Sequence, residues 1–224
     1  MGAETSLFAR LRSACPDEWQ AFIGHPFVRR LGDGSLPEEC FRHYLLQDYL
    51  FLIHFARAYG LAVYKSDTLE DMRYSAAGMA SILDEMGLHL KYCHDWGILE
   101  EELAALPEAD ATIAYTRFVL DRGMAGDLLD LQVALAPCVI GYAEIANLLK
   151  IDPASRLEGN PYLSWIEMYS GDEYQRVARA QVAQLDRLMG LRGGEGRMPS
   201  LIDTFRQATR LEAGFWQMGL DVTR

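Results

Sequence analysis

The stretch LLDLQVALAPCVIGYAEIANLLK, residues 128–150, decides the fold. Leu128, Leu131, Leu135, Cys138, Tyr142, Ile145 and Leu149 follow one another at steps of three, four, three, four, three and four, the period of one helical face. Asp152-Pro153 closes the run, because the residue before a proline is driven out of the helical region. Pro137 cannot donate to the carbonyl of Val133, so the spacing predicts a helix kinked or opened at that turn. Cys138 is expected to face inward beside it.

The same period recurs outward from this segment. It predicts helices from Pro37 to about Tyr64, from about Thr68 to Asp95, and near 110–122, 161–169, 172–190 and 199–220. Asp67 is the expected cap of the second, Gly97 its stop, and His25 is expected to fix a turn before a short helix. No run of alternating β-branched residues is framed by Asn-Gly or Asp-Gly turns. The glycine-rich Gly190–Gly196 segment makes a turn between helices. One all-α domain, a helical bundle over residues 1–224, is expected.

Composition narrows the function. Thirty-two acidic against 21 basic side chains give a formal charge of −11, which repels the phosphate backbone on which nucleic-acid affinity depends. The longest uncharged apolar run, Leu131–Ala143, is 13 residues, too short for a membrane span of ~20. Neither nucleic acid nor a membrane is an expected partner. The start carries no basic, apolar leader, so a cytoplasmic setting is expected, with Cys15, Cys40, Cys93 and Cys138 as reduced thiols. Met1-Gly2 with Ser6 fits an acylation pattern only by chance, since Glu4 interrupts it and no polybasic signal accompanies it.

Three long helices carry a reactive side chain on an apolar stripe. Asp48 lies on Phe41, Leu45, Asp48, Leu52, Phe55; Glu212 lies on Leu201, Phe205, Ala208, Glu212, Phe215; Cys138 lies on the stripe already given. A buried carboxylate requires a partner, and an arginine, a helix end or a ligand would each serve. A buried thiol either packs or reacts. Convergence of two carboxylates and a thiol from three helices is how a bundle builds a ligand pocket, which tyrosines such as Tyr115, Tyr142 and Tyr169 could line. Glu85 and His89, four apart, form a fragment of many metal sites, but no Glu-x-x-His pair of the di-iron type occurs, and no metal site is expected.

The blocks His25-Pro26-Phe27-Val28, Gly34-Ser35-Leu36-Pro37, Gln47-Asp48-Tyr49, Pro137-Cys138-Val139-Ile140-Gly141-Tyr142, Asn160-Pro161-Tyr162 and Leu211-Glu212 followed by Phe215-Trp216 resemble, in order, those of the thiaminase II (TenA) family. The resemblance spans roughly residues 20 to 218. It implies a haem-oxygenase-like all-α fold, a homotetramer, no cofactor, and hydrolysis of thiamin-derived pyrimidines to hydroxymethylpyrimidine, with ammonia or the thiazole as leaving group. Block by block it places the nucleophile on Cys138, the proton donor on Glu212 and substrate-binding positions on Asp48 and Tyr142. Phe51, Tyr115 and Tyr169 fall where pocket aromatics are expected. Cys138 puts the chain in the family's cysteine branch.

The residue types suit that chemistry. A thiol is a minority thiolate near neutrality and needs activation, an acid on an apolar stripe gains a raised pKa, and Asp48 can accept hydrogen bonds from an aminopyrimidine edge. Two other classes stay open on sequence alone: a metal-dependent oxidase using Glu85, His89, Asp48 and Glu212 as ligands, and an inert pyrimidine-binding or regulatory protein.

Overall fold

A computed structural model describes residues 6–223, so the Met1-Gly2 pattern lies outside it. Among the described residues eleven α-helices follow one another and no strand occurs: α1 Leu7–Ala14, α2 Pro16–Ile23, α3 Pro26–Asp33, α4 Glu38–Tyr64, α5 Leu69–Asp95, α6 Glu100–Ala104, α7 Asp110–Ala125, α8 Leu128–Ile151, α9 Leu163–Ser170, α10 Asp172–Arg192 and α11 Met198–Leu220.

Helices begin where the sequence supplies an acceptor for their orphan amides. The Ser6 hydroxyl accepts from the Ala9 amide at 3.1 Å, and His25 Nδ1 accepts from the Phe27 amide at 3.2 Å, fixing the turn into α3. At α8, Asp127 accepts from Leu129 at 2.9 Å while Asp130 accepts from the Asp127 amide at 2.8 Å, a reciprocal cap. The cap of α5 is Thr68, whose hydroxyl accepts from the Asp71 amide at 3.1 Å; Asp67, the expected cap, is drawn off into an ion pair with Arg192. Helices α1, α2 and α6 went unforeseen because eight residues or fewer show too little of the helical period.

Helices α4 and α5, 27 residues each, are joined by four residues and run antiparallel. Their close approach depends on Gly78, where a Cβ would stand 2.4 Å from the Tyr59 ring. Helix α8 threads the middle, packed by α2, α7, α9, α10 and α11, and is buried on every side from Leu131 to Ala143. It continues unbroken through Pro137. Length and composition alone would let it cross a membrane, yet 89% of its most apolar stretch is buried inside the fold, as a core helix must be. At its centre a Cβ on Gly141 would meet the Phe22 ring at 2.2 Å, so glycine there admits α2.

The Asn160-Pro161-Tyr162 block proves to be structural. Asn160 Nδ2 donates to the last-turn carbonyls of Leu31 and Gly32 at 3.0 and 2.9 Å, and the Tyr162 hydroxyl donates to the Leu36 carbonyl at 2.5 Å. These bonds close the end of α3, where Gly34 adopts φ 76°.

Candidate active site

Residue 48 projects from the buried middle of α4 toward α5. Its Oδ2 lies 2.7 Å from His89 Nε2 and also accepts the Tyr44 hydroxyl at 3.2 Å. Trp165 Nε1 donates to Tyr44 at 3.3 Å. His89 Nδ1 faces the Glu85 carbonyl at 3.1 Å. Both ring nitrogens thus face acceptors, and only the imidazolium can donate to both. Burial pushes the His89 pKa down, but the Asp48 hydrogen bond and the charges of Asp48 and Glu85 outweigh it, and the net direction is up.

Helices α11 and α8 bring Glu212 and Cys138 together. The Cys138 thiol lies within electrostatic reach of the Glu212 carboxyl, whose Oε1 accepts the Tyr115 hydroxyl at 2.7 Å. Phe51 packs 5.0 Å from Tyr115 and 5.5 Å from Phe215, ring centre to ring centre, walling the carboxyl off from water. Burial raises the Glu212 pKa to about 8, against the opposing effects of Tyr115 and Cys138. The thiol is pushed well above its ordinary value by burial and then by Glu212, so in the resting site it is protonated. Val133 to Ala136 are 0% exposed, whereas Cys138, one turn on, is 9% exposed.

A third carboxyl, Glu85 of α5, accepts the Tyr169 hydroxyl, and burial raises its pKa to about 7. Glu85 also lines a cleft of about 480 Å³ between α5, α9 and α10, together with Asp84, Met168, Glu173 and Tyr174. The Tyr174 ring stands 4.8 Å from that of Tyr169, and its phenol is pushed up by burial and by Glu85, Cys138 and Glu212 together. Tyr174 therefore lines the cleft within electrostatic reach of the thiol. Among the described residues no three His, Cys, Asp or Glu side chains are grouped to hold a metal. The carboxyls of Asp48, Glu85 and Glu212 are spent on His89, on tyrosines and on the thiol, which removes the support for the oxidase alternative.

The model of the TENA/THI-4/PQQC family matches residues 13–222. The chain belongs to that family. An aminopyrimidine aminohydrolase of Halalkalibacterium halodurans is 37% identical over 95% of both chains. The solved structure of a protein from Silicibacter sp. TM1040, described as a TenA family transcription regulator, is 45% identical over 95% of this chain and 96% of the other, with a TM-score of 0.90. A domain of unknown function from Shewanella denitrificans, described as having a heme oxygenase-like fold, superposes at a TM-score of 0.75 with 13% identity, covering 96% of this chain and 93% of that one, and bears on the fold alone.

This TenA-family chain brings Asp48, Cys138, Tyr142, Tyr115, Phe51, Tyr169 and Glu212 into one connected region. Glu85, His89, Tyr44 and Tyr174 belong to it too and were not foreseen there. The Glu85–His89 spacing was visible; what was not is that antiparallel pairing with α4 sets His89 opposite Asp48 instead of leaving both for a metal. Gln47, beside Asp48, turns the other way. Its Nε2 donates to the Pro107 carbonyl at 3.0 Å, and its Oε1 accepts from the Ala109 amide at 2.8 Å and the Thr112 hydroxyl at 2.7 Å. It thereby fixes the start of α7, one turn before Tyr115.

Proposed function

We propose that the protein hydrolyses aminopyrimidines derived from thiamin, converting 4-amino-5-aminomethyl-2-methylpyrimidine to the hydroxymethyl form and ammonia, by covalent catalysis at Cys138. The observation that carries this is the buried juxtaposition of Cys138 with Glu212, a carboxyl whose pKa burial raises to about 8, within reach of proton exchange near neutrality. Similarity to the aminopyrimidine aminohydrolase of H. halodurans supports it.

As the sulfur adds to an electron-poor ring carbon, protonated Glu212 delivers its proton to a ring nitrogen or to the leaving group and takes up the thiol proton in its place. The ring pushes electrons toward the methylene, the carbon–nitrogen bond breaks, and the amine departs with the electron pair. Water adds to the methylene and loses a proton; the carbon–sulfur bond then breaks and the thiolate is reprotonated. Asp48, held by His89 and Tyr44, accepts from the aminopyrimidine edge, while Tyr142, Phe51, Tyr115 and Tyr169 supply the aromatic walls. These steps call for neither metal nor organic cofactor.

A homotetramer and a cytoplasmic setting belong to the same proposal. Leu148 and Ile151, 41% and 78% exposed beside an apolar groove between α8 and α10, give a second copy surface to bury. Sedimentation tests the assembly. Ammonia release from the aminomethylpyrimidine, run beside thiamin, tests the activity: turnover of the first supports it, and turnover of neither sinks it.

A further inference from the structure

The pocket holds more carboxyls than its interior can answer. Asp48, Glu85 and Glu212 face a region whose one basic side chain among the described residues is His89, and His89 is bonded to Asp48. Glu212 is matched by two neutral groups, Tyr115 and Cys138. Glu85 accepts the Tyr169 hydroxyl and feels the charge of His89, whose direct bond is to Asp48 rather than to Glu85. It is also the carboxyl shared between the inner cluster and the cleft, the innermost of the three that line the cleft. The other ionisable groups on the cleft wall are Asp84 and Glu173, both exposed, and no lysine or arginine lines it.

We propose that Glu85 is a specificity-determining residue that binds a cationic leaving group on the substrate's methylene, an alkylammonium or a quaternised heterocycle. The inference rests on the proposed function and deepens it. With the pyrimidine edge on Asp48 and a ring carbon against Cys138, the methylene substituent is the part left to face the cleft, and Glu85 stands there. A positive charge answers the unpaired carboxylate, whereas a neutral substituent leaves Glu85 either protonated or uncompensated in a poorly solvated place. The preference is electrostatic, so it falls on any small cation at that carbon whatever its shape. Tyr169 orients the carboxyl and is satisfied equally by an amide acceptor, so Glu85→Gln removes the charge while preserving that bond.

Two ligands of nearly equal size separate charge from fit: the aminomethylpyrimidine, whose amine is protonated near neutrality, and the hydroxymethylpyrimidine, which is neutral there. Their dissociation constants are measured by calorimetry in a Cys138→Ser background, with and without Glu85→Gln and Glu85→Asp, each variant's melt confirming its fold. In the background protein the cation binds more tightly; Glu85→Gln lowers that preference by about tenfold or more, mostly by weakening the cation, and Glu85→Asp retains part of it. An unchanged ratio, or equal weakening of both ligands, overturns the role of Glu85. Because these arms read binding, they decide it even if ammonia release fails, and that failure falls on the hydrolase proposal alone.

Discussion

Replacing Glu212 by glutamine should make the protein more stable and nearly inactive. The carboxyl is 1% exposed and its pKa is raised from 4.5 to about 8 by burial. Between these values the unfolded chain releases the proton while the folded chain keeps it, so stability falls as pH rises from about 4.5 and the full penalty is present above about 8. At ~1.4 kcal/mol per pH unit, holding this carboxyl in the fold costs on the order of 5 kcal/mol at pH 8 and about 3 at pH 7. Glutamine keeps the shape and an acceptor for Tyr115 but loses the charged hydrogen bonds, worth ~1–2 kcal/mol. The variant should therefore gain roughly 2–4 kcal/mol near pH 8 and nothing near pH 5. Urea unfolding at both pH values measures the difference directly. Turnover, meanwhile, should fall about a hundredfold, and the decline of wild-type activity above about pH 8 should flatten. A stability difference that is the same at both pH values would refute the reasoning, because Glu212 would then ionise as it does in water and could not serve as the acid.

Cys138→Ser should fold with little loss of stability and lose most turnover, as a serine hydroxyl lacks comparable nucleophilicity without a dedicated base; wild-type rates in the folded variant would end the covalent mechanism. Asp48→Asn should weaken pyrimidine binding yet cost only ~1–3 kcal/mol, because its partner His89 can shed its proton where an arginine could not. The histidine's folded pKa is raised, so the pair's contribution is full below about pH 6.5 and is lost as pH climbs through the raised value; the gap between wild type and variant in thermal melts should narrow in that direction. Gln47→Ala should destabilise by roughly 2–3 kcal/mol and also slow turnover, since it frees the start of α7 that carries Tyr115; slower turnover without destabilisation would argue against this.

Much of this was legible in the chain because helical periodicity survives in long segments. The starts and ends of α4, α5, α8 and α11 fall close to where caps, glycines and prolines put them. Cys138 does lie inward, as its stripe implies, but the middle of α8 is buried on every side, so facing inward does not distinguish it from Leu135 or Ala136. Its nearness to Glu212 does, and that depends on how α11 crosses α8. Asp48 behaved alike: burial demanded a partner, and sequence spacing could not choose among an arginine, a helix end and a histidine on the next helix. Pairings between helices are set by packing, which a single chain's period does not encode.

The aromatic rings around the site have an optical consequence. Trp216 stacks 5.0 Å from Phe27 at 16° and lies 6.3 Å from Trp165 at 67°, and Trp165 is bonded through its indole nitrogen to the same Tyr44 that holds Asp48. Rings fixed at such angles in an asymmetric interior couple their transitions, giving strong near-ultraviolet dichroism that vanishes when packing loosens even if the helices persist. Under the proposed function, a ligand on the Asp48 edge shifts the field on one buried indole, and its emission follows. The molecule would thus carry an unlabelled optical gauge of its own pocket, two hydrogen bonds from Asp48.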